Sequence, residues 1–146
     1  MRRRLVIKGI VALGAIAAWP SLLWAKRPDA AFDLGDADKA IANVYGQMPV
    51  DSDQITLKIP VIAENGAVVP VTVSTDLADV ESISIVVDNN PTPFVASFDM
   101  GPRVLPRISV RIKMGESSPV RALVKAGGNL YSTSKEVKVT IGGCGG

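Results

Sequence analysis

The chain has 146 residues and a mass of 15.3 kDa, which allows one domain with its own core. It contains no histidine and a single cysteine, Cys144, so Ser-His-Asp and Cys-His catalysis, histidine metal sites, CxxC sites and an intrachain disulfide are all excluded. Hydrophobic residues at 47% and charged residues at 21% argue for a folded chain rather than a disordered one, and aromatics at only 5% argue against a base-stacking nucleic-acid surface.

Residues 1–25 read as an export signal. Met1 to Lys8 (MRRRLVIK) carries four cations and no carboxylate, Gly9 to Ala18 is an uncharged apolar run, and Leu23-Trp24-Ala25 places a small residue just before Lys26. Arg3-Arg4, followed by Leu5-Val6-Ile7-Lys8, follows the twin-arginine pattern, with Arg2 where Ser or Thr is usual. The apolar run is short for a bilayer span and is followed by Pro20, so a cleaved signal is expected, with no stable membrane association once it is removed; the alternative is an uncleaved membrane anchor. Its loss takes Arg2, Arg3, Arg4 and Lys8 from the 16 cations, leaving 12 against 14 carboxylates, a net charge of −2. The basic pI of 8.8 thus belongs largely to the leader, and no nucleic-acid footprint remains. The expected location is the periplasm.

A sandwich domain is expected over 26–141. Asp36 to Tyr45 (DADKAIANVY) has a capping Asp36, apolar residues at three- and four-residue spacing, and Gly46 as a stop, which predicts a short helix at about 36–45. Beyond it the period becomes two. Ile55 to Val61 predicts a strand, Glu64-Asn65-Gly66 a hairpin turn, and Val68 to Ser74 a strand in which Pro70 marks an edge or bulge. Glu81 to Asp88, Phe94 to Asp99, Ile108 to Met114, Val120 to Ala126 and Glu136 to Ile141 follow, divided by Asn89-Asn90-Pro91-Thr92-Pro93 and by Gly127-Gly128-Asn129. About seven short strands with turn signals predict an all-β, immunoglobulin-like sandwich. Nothing resembles a βαβ unit, and such a sandwich has little interior for a substrate, so function is expected on loops, edges or termini.

Residues 142–146 are Gly142-Gly143-Cys144-Gly145-Gly146. Four glycines cannot pack a core and are costly to order, so a flexible arm is expected. Cys144 has no side chain beside it, a shape suited to a narrow channel on another protein. A buried structural role fits poorly, because a glycine tail offers no apolar cage. With no adjoining cation and with the Gly146 carboxylate nearby, the thiolate is disfavoured in the free arm, and its activation is expected from the receiving enzyme. Other candidates read as structural. Met48, Met100 and Met114 show no copper-binding motif; Asp36, Asp38, Asp51 and Asp53 show no EF-hand loop; Lys135 and Lys138 near the arm either are solvated or guide docking.

The ending KVTIGGCGG (Lys138 to Gly146) resembles the terminal signature of SoxY, the sulfur-carrying subunit of the bacterial thiosulfate-oxidising Sox system. AENGAVVPV (Ala63 to Val71), NPTPFVASF (Asn90 to Phe98) and RIKMGESS (Arg111 to Ser118) are similar to the same family. The resemblance implies an immunoglobulin-like sandwich paired with SoxZ, and a non-enzymatic carrier without a cofactor or metal. Its Cys144 would be the point of covalent sulfur attachment, with thiosulfate joined to it by the c-type cytochrome complex SoxAX. The hydrolase SoxB and the sulfane dehydrogenase SoxCD would follow as transient partners.

Rival readings make different predictions. A ThiS- or MoaD-like carrier would form a thiocarboxylate at Gly146, but it needs ATP-dependent adenylation and a ubiquitin-like fold. A structural or adhesive sandwich would dimerise through an intermolecular Cys144 disulfide. A redox sensor lacks a resolving cysteine in this chain.

Overall fold

The structure, a computed structural model, describes Asp29 and residues 35–140. The expected leader at 1–25, with Trp19 and Trp24, and the expected arm at 142–146, with Gly142, Gly143, Cys144, Gly145 and Gly146, lie outside the described residues.

Helix α1 spans Ala37–Tyr45. Its first-turn amides need acceptors, and the Asp36 side chain supplies one, accepting from the N–H groups of Asp38 at 3.0 Å and Lys39 at 3.1 Å. The bond from the Lys39 amide, foremost, holds the Asp36 carboxyl below its ordinary value. Gly46, at φ +68°, closes the other end and donates its N–H to the Ala42 carbonyl at 2.8 Å. Ala40 and Ile41 are fully buried against Val86, Phe94 and Leu123.

The described strands are β1 (Val50–Asp51), β2 (Ile55–Lys58), β3 (Ile62–Ala63), β4 (Val69–Thr75), β5 (Val80–Val87), β6 (Phe94–Asp99), β7 (Arg107–Ile112), β8 (Ser118–Ala126) and β9 (Asn129–Val139). They build an immunoglobulin-like sandwich. The larger sheet runs β1-β9-β8-β5-β6, with β3 also on β9, and the smaller runs β2-β4-β7. Leu57, Val71 and Val73 of the smaller sheet meet Ile83, Ile85 and Val124 of the larger in the main core. The far face of the larger sheet carries α1, so β5 is buried on both faces. There Ser84 bonds the Tyr45 hydroxyl at 2.5 Å and Ser97 at 2.9 Å, which satisfies its buried oxygen.

Several expectations are corrected. The strand foreseen at Ile55 to Val61 stops at Lys58, and Val61 is 70% exposed because the chain leaves the smaller sheet there to reach β9. Glu64-Asn65-Gly66 is not a hairpin turn: β3 pairs with β9, and the turn carries the chain back to β4 in the other sheet. Pro70 sits in the central strand β4, yet pairing with β2 begins only at Thr72↔Lys58, so at Pro70 the strand has a neighbour on the β7 side alone. Strand β9 begins at Asn129, well before the expected Glu136. Gly127 and Gly128, at φ +55° and +80°, form a two-residue turn that sets its register on β8. Met48, expected to pack, is exposed.

One ion pair locks the helix to the larger sheet. Arg121 on β8 donates to Asp88 through Nε at 3.0 Å and Nη2 at 2.6 Å, and to Asp38 of α1 through Nη1 at 2.6 Å. Partial burial alone would lower the Arg121 pKa, but the bonds to Asp88 and Asp38 outweigh it and hold the guanidinium charged. Asp88 is the more enclosed partner and Asp38 is exposed. Arg121→Met should therefore lower stability by about 1–3 kcal/mol by stranding Asp88. Asp38→Asn should cost under about 1 kcal/mol. Urea unfolding midpoints check both, and equal losses would contradict this division.

Candidate functional site: the root of the C-terminal arm

The last described residues are held on both sides. Strand β8 covers one edge of β9 as far as Ser118↔Val137. On the other edge β1 pairs in parallel at Val50↔Tyr131 and Asp51↔Ser132, and β3 pairs in parallel at Ile62↔Lys138 and Ala63↔Val139. Lys138 donates its N–H to the Val61 carbonyl at 2.9 Å, and Thr140 donates to the Ala63 carbonyl at 3.1 Å. Between them Val139 donates its N–H to Ser117 Oγ at 2.9 Å. Three successive amides are thus bonded, alternately to either side, which fixes the backbone through Thr140.

Three turns brace this strand end. Gly66 is pressed so closely that an added Cβ would lie 2.5 Å from the Met114 carbonyl oxygen and 2.8 Å from Val139 Cγ1. Met114 donates its N–H to the Gly66 carbonyl at 2.7 Å. The Asn90 side chain donates to the Lys113 carbonyl at 2.8 Å and accepts from the Gly115 N–H at 3.0 Å. Asn89 donates through Nδ2 to the Ser117 carbonyl at 2.9 Å. The segments 63–71, 90–98, 111–118 and the start of 138–146, far apart in sequence, therefore meet at one end of the sandwich.

This end supplies position rather than chemistry. The hydroxyl of Ser117 accepts from Val139, and that of Thr140 lies 3.4 Å from the Ala63 carbonyl. Cys144 follows Thr140 by four residues, a span of at most about 13–14 Å of extended chain. Lys135 and Lys138 are exposed and form no ion pair among the described residues. Three of the four candidate aspartates have structural partners: Asp36 caps α1, Asp38 pairs with Arg121 and Asp51 accepts from Ser132 Oγ at 3.0 Å. Among the described residues no group of three His, Cys, Asp or Glu could hold a metal ion, and no helix is long and apolar enough to cross a membrane.

Sequence reasoning missed the bracing role of Gly66, Asn90 and Ser117. Gly66 acts by close approach, and the Asn90 and Ser117 side chains act on backbone groups of other segments; the available signal was the Asn-Gly and Asn-Pro turn chemistry, which does not say what the turns touch. Gly66→Ala should destabilise the fold by about 1–3 kcal/mol by overpacking. It should also speed amide hydrogen exchange at Val139 and Thr140 more than in α1. Unchanged exchange at these two amides would contradict the bracing.

The comparisons place this arrangement among known proteins. Residues 41–144 match the family model described as sulfur oxidation protein SoxY. The sulfur carrier protein SoxY from Chlorobium limicola f thiosulfatophilum is similar at 48% identity and a TM-score of 0.65, over 71% of this chain and 96% of that one. A superoxide reductase (neelaredoxin) from Ignicoccus hospitalis shares the fold at 16% identity and a TM-score of 0.57, over 66% of this chain and 98% of its own. Among the curated proteins none matches.

Proposed function

The chain belongs to the SoxY family of sulfur oxidation proteins, and from this premise we propose that it is a periplasmic sulfur carrier that holds its cargo covalently on Cys144. The observation that carries the reading is the family match reaching residue 144, together with a strand that is bonded through Thr140. A carrier needs a fixed body and a short reach. A pinned strand end four residues before Cys144 fits both needs, and the residues on either side of Cys144 are glycines, which carry no side chain.

In this reading the thiol joins the outer sulfur of thiosulfate, releasing one proton and two electrons, and the cysteine S-thiosulfonate forms. The electrons pass to the c-type cytochrome complex SoxAX. Attack of water on the terminal sulfonate, at the hydrolase SoxB, breaks the sulfur–sulfur bond. It releases sulfate and a proton and leaves a persulfide on Cys144. The sulfane dehydrogenase SoxCD, where present, takes six electrons and six protons from the persulfide anion and three waters, giving a cysteine S-sulfonate. A second hydrolysis returns the thiol and sulfate. The carrier is restored at the end and performs no turnover of its own. SoxZ is its stable partner, and the leader at 1–25 directs it to the compartment where these partners act. Tethering keeps reactive persulfides from diffusing away between enzymes.

Cys144→Ser should abolish loading and leave the fold and SoxZ pairing intact. Mass spectrometry after incubation with thiosulfate and the cytochrome complex reads the first, and co-elution with SoxZ reads the second. A thiosulfate-derived adduct on the Ser variant would refute the assignment.

A further inference from the structure

The smaller sheet turns one face to the core and the other to solvent. Its strands read ITLK, VPVTVST and RISVRI: three cations and no carboxylate. Lys58, Arg107 and Arg111 are all exposed at outward positions of the alternating pattern. Thr72 and Ser109, hydrogen-bonded to each other at 3.0 Å, lie between them, with Lys58 opposite Thr72 and Arg107 opposite Ser74. None of the three cations forms an ion pair among the described residues, whose ion pairs lie at Lys39, Arg121 and Lys125. Three unpaired positive charges thus share one polar face of a chain that is net negative beyond residue 25.

Position adds meaning to the charge. Arg111 lies opposite Pro70, one step from the Val69↔Ile112 pair that ends the sheet. Two residues on, Met114 bonds Gly66, which touches Val139. The cationic face therefore ends at the root of the arm, and Cys144 lies within about 13–14 Å of that root along the chain.

We propose that the outer face of the β2-β4-β7 sheet, through Lys58, Arg107 and Arg111, docks an acidic surface of the enzyme that loads Cys144; this rests on the carrier reading. A permanent interface needs an apolar centre, which this Ser- and Thr-rich face lacks. A second copy would bring like charges together. A small anion would stay mostly in water on a flat sheet. A transient partner gains most from such a face, because complementary charge steers encounter and raises the association rate. Charges on edge strands also deter strand pairing, but either sign serves that purpose, and here all three are positive.

The test compares the wild-type complex with SoxZ to the triple variant Lys58→Gln, Arg107→Gln, Arg111→Gln. The readout is the rate of thiosulfate loading of Cys144 by the cytochrome complex, at sub-saturating carrier. At low ionic strength the triple variant should load at least about tenfold more slowly, and the two rates should converge as salt screens the charges. A control, Lys39→Gln with Arg103→Gln, removes charge elsewhere and should stay within about twofold of wild type. Loading by the triple variant at the wild-type rate and salt dependence would overturn the proposal. So would loss of SoxZ pairing, which would assign the face to the permanent partner, or a change in self-association alone. Absence of loading in the wild type would overturn the carrier reading, and the docking surface with it.

Discussion

The structure depends on a short parallel pairing at the end of β9. Past Val137 strand β8 no longer accompanies the chain, and Lys138 and Thr140 owe their backbone bonds to the β3 segment. A two-residue strand is marginal by itself. It holds because the turn that follows is clamped: Gly66 against Met114 and Val139, Ser117 against Val139, Asn90 against the 113–115 backbone. Release of this clamp would set the last bonded residue further from Cys144 along the chain. Longer tethers dilute what they carry, since effective concentration falls with linker length.

The rest of the sandwich separates three duties. Its main core, filled by alternating residues of both sheets, keeps the body rigid. Helix α1, fixed by its caps and by Arg121, seals the far face of the larger sheet, so β5 is buried on both sides. The outer face of the smaller sheet remains polar and positive. A carrier that meets several enzymes in turn benefits from this layout. In the proposed reading, brief contacts with a loading enzyme would be made by charge on this outer face, which favours fast encounter over long residence.

Much of the fold was legible because its signals are local. Asp36, the three- and four-residue spacing and Gly46 located α1 within one residue, and two-residue alternation located β5 to β8 within a few positions. The strands β1 and β3 were not legible, since two residues have no period. The first half of β9 (NLYSTSK) was hidden because its small polar residues take their register from β8 across the Gly127-Gly128 turn. Cys144 stood out by elimination, as the one thiol in a chain without histidine. The root before it did not, because Gly66 acts by close approach and the Asn90 and Ser117 side chains bond backbone groups of residues distant in sequence, which no local pattern announces. The cationic face was equally hidden: Lys58, Arg107 and Arg111 become neighbours only once β4 is seen between β2 and β7.

The most direct measurement is the mass of the segment beyond Thr140 in protein purified without reductant from cells oxidising thiosulfate. The account predicts a mixture of peptides containing Cys144 that carry added sulfur or added thiosulfate, all returned to the bare mass by reductant. A peptide found only as the bare thiol, or only as a disulfide to a second copy, would contradict it.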